Sequence, residues 1–160
     1  MNWLIDRWAM LHHERQRGSA IVEFIFVALL VLVPLVYLVI AIAVVQRSRL
    51  ATTNAARDVG RAIATSDTGS QAAARADAAF RIALASQGIP ASGAELRYVG
   101  AGDDCQDAAS VVPQLAPGSE FTVCVLRSQR LPAVPAILSG RGVTTIGRYV
   151  VHVDDFRPVG

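Results

Sequence analysis

A single carboxylate, Glu23, stands at the head of a long uncharged run, FIFVALLVLVPLVYLVIAIAVV, from Phe24 to Val45. An unpaired carboxylate inside a bilayer costs about 2.5–3.5 kcal/mol on insertion scales, so one placed there calls for a cationic partner or a functional role. The plainer reading puts Glu23 within a turn of the interface, where it snorkels to water. Cys105 and Cys124 are the other pair able to do chemistry. In an oxidising compartment they would form one disulfide; otherwise they are two buried thiols. Asp103, Asp104 and Asp107 flank Cys105 and raise the question of a calcium loop. The remaining oxygen ligands and the closing acidic residue of such loops are missing, which favours a polar turn. His12 and His13 precede the apolar run, and His152 stands alone in a strand-like segment as an expected surface or edge residue. No nucleophile motif, phosphate loop or metal-ligand spacing occurs, so the chain reads as neither an enzyme nor a cofactor or metal carrier.

The apolar run decides the class. As a helix its 22 residues cover about 33 Å, enough to cross a hydrocarbon core of about 30 Å. A buried helix of a water-soluble protein rarely stays apolar on every face for so long. Pro34 removes one backbone donor in the middle, which predicts a kink. A secretory signal peptide is the competitor, but its apolar region runs about 7–15 residues, and Ala41-Ile-Ala43 is only a faint echo of a cleavage site. The chain is 160 residues long, 52% hydrophobic and 18% charged, with the apolar excess gathered in this one stretch. Its net charge of +2 comes with scattered arginines and no lysine, which excludes a nucleic-acid-binding stripe and points to a genome-wide codon bias. Arg7, Arg15 and Arg17 precede the span, whereas Arg47, Arg49, Arg57 and Arg61 follow it, so the positive-inside count leans slightly towards the reverse topology. The cysteine pair and the Gly/Ser/Pro-containing C-terminal part favour an N-terminus inside, since whole domains translocate despite their charge.

The junction before the span reads Arg15-Gln16-Arg17-Gly18-Ser19-Ala20-Ile21-Val22-Glu23-Phe24. A basic leader ends in glycine, and glutamate follows five residues later. This spacing resembles the processing site of type IV prepilins. The wider string RGSAIVEF, followed by a span and RSRLATTNAARDVGRA, is similar to the TadE/TadF-like family, pilin-like membrane proteins of the tight-adherence (Flp-type) pilus assembly system. The resemblance covers residues 15–64. It implies cleavage between Gly18 and Ser19 by a prepilin peptidase at the cytoplasmic face. It also implies that Glu23 pairs with the new amino terminus of a neighbouring subunit, an amine that titrates near about 7.7–8.0 and so is largely cationic at neutral pH. Ser19 stands where type IV pilins usually carry phenylalanine or methionine, which fits the TadE-like pattern better than a major pilin.

After the span, residues 46–65 read as an alanine-rich helical stalk in which Leu50, Ala55, Val59, Ala62 and Ile63 form a thin apolar stripe. That stripe packs either on partner helices or on the chain's own C-terminal part. Gly60 weakens it by about 1 kcal/mol relative to alanine, and Arg57, Asp58 and Arg61 read as a solvated face. Ser70 is the expected N-cap of a second helix over 71–87, closed by Gly88 and Pro90, with Ala76, Ala79, Phe80, Ala83 and Leu84 on one face. Segments 96–99, 121–126 and 144–153 carry strand signals. The expected fold is α+β: a transmembrane helix with a helical extension, then one helix and a three- to four-stranded, mostly antiparallel sheet. The expected organisation is a cytoplasmic leader at 1–18, a span at 19–45, a stalk at 46–65 and an extracytoplasmic domain at 66–160. The reading is a single-pass protein of the bacterial cytoplasmic membrane that serves as a pilin-like structural or assembly subunit. Its partners would be the lipid bilayer, other pilin-like subunits, the pilus assembly complex and the prepilin peptidase. The alternative is an uncleaved, membrane-anchored binding domain.

Overall fold

A computed structural model describes residues 3–130 and 142–156, with side chains from Ala20 onward. The connection at 131–141 and the side chains of Arg7, His12, His13, Arg15, Arg17, Gly18 and Ser19 lie outside the described set. The order is helix α1 (Trp3–Ala64), helix α2 (Gly69–Ser86), a short 3₁₀ turn (Ala91–Gly93), and strands β1 (Ala94–Gly100), β2 (Glu120–Gln129) and β3 (Val143–His152). The three strands form one antiparallel sheet in the order β1-β2-β3, so the α+β expectation holds. The chain divides into two units, Met1–Ile40 and Ala41–Gly160.

The first unit is helix throughout its described length, and from Ala20 to Ile40 no side chain is buried. Pro34 lies inside α1 without ending it.

The second unit has a core built from both helices and the sheet. Ala51, Ala55, Val59 and Ile63 of α1 meet Ala76, Phe80 and Leu84 of α2 and Phe121, Val123, Val125 and Val151 of the strands. The pleat explains the strand contribution, because alternate residues point to opposite faces. On β3, Thr145, Gly147 and Val151 are buried while Ile146, Arg148, Val150 and His152 are exposed, the alternation the sequence suggests. Strand β2 is central and covered on both faces, and residues 121–125 are buried without a break.

Small residues set the depth at which α1 sits. A Cβ on Gly147 would come within 2.0 Å of the Thr52 carbonyl oxygen, so helix backbone rests directly on strand backbone there. One Cβ on Gly60 would fall 2.4 Å from the Tyr149 ring and 2.9 Å from Val151. The Ser48 and Thr145 hydroxyls meet at 2.7 Å in the same seam, and the Thr52 hydroxyl donates back to the Ser48 carbonyl at 3.1 Å. The stripe expected on α1 therefore needs correcting. Leu50 is 63% exposed, and the buried face is the small-residue row Ser48, Ala51, Thr52, Ala55, Ala56, Val59, Gly60 and Ile63. Of the two partners open to that face, the chain's own C-terminal part occupies it.

Helix α2 begins two residues earlier than Ser70 suggests. Thr68 is the N-cap, its hydroxyl accepting from the Gln71 amide at 3.3 Å, while the Gln71 side chain reaches back to accept from the Asp67 amide at 2.8 Å. The first bond is the N-cap half of a capping box, while the second satisfies the amide of the residue before the cap. The other end closes as expected. Gly88 takes a positive φ of 65°, its amide donates to Ala85 at 2.8 Å, and the Ile89 amide donates to Leu84 at 3.0 Å. Those are the two bonds of a Schellman motif.

Candidate functional site

Two places carry the residues singled out above: the head of the apolar helix and the disulfide loop. At the first, Gly18 and Ser19 fall within α1, so the junction backbone is helical. Three residues on from Ala20, Glu23 is exposed, and its carboxylate makes no hydrogen bond or ion pair among the described residues. Its neighbours are as bare: Ile21 is 64% exposed, Val22 68% and Phe24 74%. Large apolar side chains exposed on every side of a helix are costly in water, where each fully buried Leu, Ile, Val or Phe gains about 1.5–3 kcal/mol. In hydrocarbon the cost vanishes, while the backbone remains satisfied within the helix. The apolar part of α1 is long enough to cross a membrane, and none of its most apolar window is buried by the chain itself. A single carboxylate at one end of such a surface can snorkel or meet a cation from another chain. Gly18, Ser19, Glu23 and Phe24 share one helix, and among the described residues no side chain pairs with Glu23.

At the second place the structure does bring the predicted pair together. Cys105 and Cys124 form a disulfide across 19 residues, with their Cα atoms 5.6 Å apart. The bond packs with Val99, Ala108 and Leu126 on the sheet face away from the helices. Sequence reasoning missed the group that holds this loop in place. Arg97, paired across the strands with Cys124, donates from Nη1 to the carbonyls of Cys105 and Gln106 at 3.1 Å each, and from Nη2 to Ala108 at 2.9 Å. A guanidinium carries its donors in a fixed fork and suits several carbonyls at once. An arginine set between Leu96 and Tyr98 within a strand was the available signal. The aspartates nearby serve the turn. Asp104 accepts from the Gln106 amide at 2.6 Å, and the Asp103 carboxylate lies where a Cβ on Gly100 would fall. Among the described residues, no three His, Cys, Asp or Glu side chains gather to hold a metal ion.

Two hollows lie in the second unit. One, of about 260 Å³, is polar and lined by Asn54, Arg57, Asp58, Arg61, Ala83 and Ser86, with the charged side chains open to water. A second, of about 230 Å³, is apolar and lined by Ile63, Ala72, Tyr98, Val112 and Pro113 among others. Burial, with a smaller contribution from the Asp77 carboxylate, raises the pKa of Tyr98 at its wall and keeps the phenol neutral. His152 lies on the exposed side of β3, 3.0 Å from Glu120 and 3.5 Å from Asp155. The hydrogen bond to Glu120 raises its pKa, and Asp155 adds to the effect. None of these places assembles a nucleophile, a base and an orienting group, the set that acyl or phosphoryl transfer needs.

The head of the helix is also where similarity to known proteins is found. Residues 18–61 match the family of TadE-like proteins. The match begins at the junction glycine, takes in Glu23 and the whole apolar run, and ends on the small-residue face that packs beneath the sheet. It falls on the residues whose pattern resembles that family, and it leaves the sheet and the disulfide loop outside. No curated protein and no solved structure matches the chain. The TadE-like match and the bare apolar helix together point to a membrane-anchored protein.

Proposed function

We propose that the chain is a pilin-like structural or assembly subunit of a tight-adherence (Flp-type) pilus or a related secretion machinery, made as a precursor and cut after Gly18. The observation that carries this reading is the junction itself. Gly18, Ser19 and Glu23 stand at pilin spacing at the head of an apolar helix bare on every face, inside the segment that matches TadE-like proteins. In this reading residues 1–18 are a cytoplasmic leader, the span runs N-terminus inside, and the disulfide-bearing part is extracytoplasmic. An oxidised Cys105–Cys124 pair supports that orientation, because disulfides persist outside the reducing cytoplasm. Glu23 then meets the new α-amine of a neighbouring subunit in poorly hydrated surroundings, where opposite charges attract more strongly than in water. Partners are the peptidase, other pilin-like subunits and the assembly complex, and the chain acts without catalysis of its own.

Mass spectrometry of the protein purified from membranes tests the reading. A mature chain beginning at Ser19 is expected, and replacing Gly18 by a bulky residue should leave the precursor intact. An intact Met1 terminus in the wild type would instead favour an uncleaved, membrane-anchored binding domain. Glu23→Gln should insert normally yet recover fewer co-purified subunits, and wild-type recovery would remove the pairing idea.

A further inference from the structure

Charge is distributed unevenly along the second unit, and β2 is the ruler. Its first residue, Glu120, pairs with His152, and the neighbouring Phe121 pairs with Gly100. Register therefore places the turn bearing Asp103 and Asp104, and the chain end bearing Asp154 and Asp155, at the Glu120 end of the sheet. The other end of β2 is fixed against the last turns of the apolar run, where the Gln129 side-chain amide donates to the Val44 carbonyl at 3.4 Å. Arg127 and Arg130 stand at this end of β2, and Arg47 and Arg49 lie just beyond Val45 on α1. At about 1.5 Å per residue, Arg47 and Arg49 follow the end of the apolar run by about 3 and 6 Å, the depth of a headgroup layer.

Little of this positive charge is used internally. Arg47 donates to the Gln87 carbonyl, and Arg127 donates from Nε to Gln129 at 3.3 Å while its Nη1 is buried without a partner. The guanidinium groups of Arg49 and Arg130 belong to exposed residues and make no hydrogen bond or ion pair among the described residues. The nearest acid along the paired strands, Glu95, is held by Arg97 at 3.6 Å. Four arginines thus stand at the end of the unit where the chain leaves its apolar segment, and among the described residues no carboxylate pairs with them.

We propose that this end of the unit binds the phosphate groups of anionic phospholipids, with Arg49 and Arg130 as the primary contacts and Arg47 and Arg127 supporting the positive field. The proposal rests on the membrane reading of residues 24–45 and adds a lipid-selective site at its border, in whichever leaflet the border lies. It also gives a use to the arginines after the span, which the positive-inside count leaves as an anomaly. A planar guanidinium takes a phosphodiester through paired hydrogen bonds, and continuity with the apolar helix selects a lipid headgroup over an acidic protein surface.

Native mass spectrometry of the full chain released from detergent tests this, titrating phosphatidylglycerol against phosphatidylcholine. The wild type is expected to retain phosphatidylglycerol preferentially. Substituting R49Q together with R130Q should weaken that preference by roughly ten- to thirty-fold. R49K with R130K should keep most of it, since the charges remain. All three proteins should melt alike, because both side chains are exposed. Equal retention of the two lipids by the wild type overturns the proposal and leaves the basic end to an acidic protein surface. Competition by inorganic phosphate at millimolar concentration overturns it in favour of a free-anion site. Flotation with phosphatidylcholine vesicles separates the two layers of the argument: a chain that fails to float removes the membrane reading and the lipid site with it, whereas flotation without lipid preference removes the lipid site alone.

Discussion

One helix, α1, lives two lives. Between Phe24 and Ile40 it carries large β-branched and aromatic side chains on every face, and the chain buries none of them. Between Ser48 and Ile63 its inward face is Ser, Ala, Thr, Val, Gly and Ile, and strand backbone comes to rest on it. The difference teaches what each half is built to meet. Lipid is fluid and fills any contour, so bulk alone suffices there. A sheet of fixed shape demands close complementarity, and small residues supply it by letting backbones approach. The contrast is open to direct attack. Gly147→Val forces side-chain atoms into the Thr52 carbonyl, a backbone obstacle that cannot rotate away. Its cost should exceed the about 1–3 kcal/mol of ordinary overpacking and abolish cooperative unfolding of the second unit in a thermal melt. Ala51→Leu, on the buried face, should cost within that ordinary range. Ala28→Leu, the same exchange on the bare half, should leave the melt unchanged. Equal effects at Ala28 and Ala51 would erase the distinction between the halves.

The disulfide sharpens the contrast from the other face of the sheet. The bare half needs no staple, whereas the second unit has only a modest core to set against chain entropy. Replacing Cys105 and Cys124 by alanine should lower the unfolding free energy by about 3 kcal/mol, as the chain-entropy relation gives for a loop of this length. Denaturant titration with and without reductant measures the same quantity without mutation. The bare apolar half should stay helical in both experiments.

How much of this was legible before the structure follows from the same contrast. Bulk and length announce a bare apolar helix directly, so the helix over residues 24–45 could be read at once, as could the alternation on β3 and the glycine that closes α2. Complementarity is harder to read. The stripe on α1 was sought among large apolar residues, which drew in Leu50 and overlooked Ser48, Ala51 and Thr52, although their spacing of three and four residues is the better helical signal. Gly60 reads as a weak point in isolation, and only the position of Tyr149 shows why a side chain cannot stand there. For the site, the glycine–glutamate spacing was plain because it is local in sequence. Arg97 was not, because the carbonyls it gathers come from a loop folded back over the strand.

Helix ends give a smaller test. In lipid a helix carries its ends out towards the headgroups, but α2 begins and ends against protein and must satisfy its own first amides. Thr68→Ala should therefore cost about 1 kcal/mol in the melt. Ser70→Ala, one step inside the helix, should cost less, and a larger loss there than at Thr68 would return the cap to Ser70.

The smallest expected effect lies at the Glu120 end of the sheet. His152 is about half exposed, and its imidazole faces the carboxylates of Glu120 and Asp155. The hydrogen bond to Glu120, with help from Asp155, raises its pKa in the folded chain, so the folded state holds the proton more tightly than the unfolded state. The contribution to stability is complete below the ordinary imidazole value of about 6.5 and is lost as pH rises through the higher folded value. Stability should accordingly fall slightly from pH 6 to pH 8 in the wild type, and this fall should be reduced in His152→Gln. Solvent screening keeps the difference small at an exposed pair, so the decisive measurement is the NMR titration of the imidazole itself. A midpoint above that of an unstructured peptide confirms the contact with Glu120. A midpoint at or below it means that β2 and the turn after β3 do not share the proton, and Glu120 and Asp155 then lack the one cationic partner that the described residues offer them.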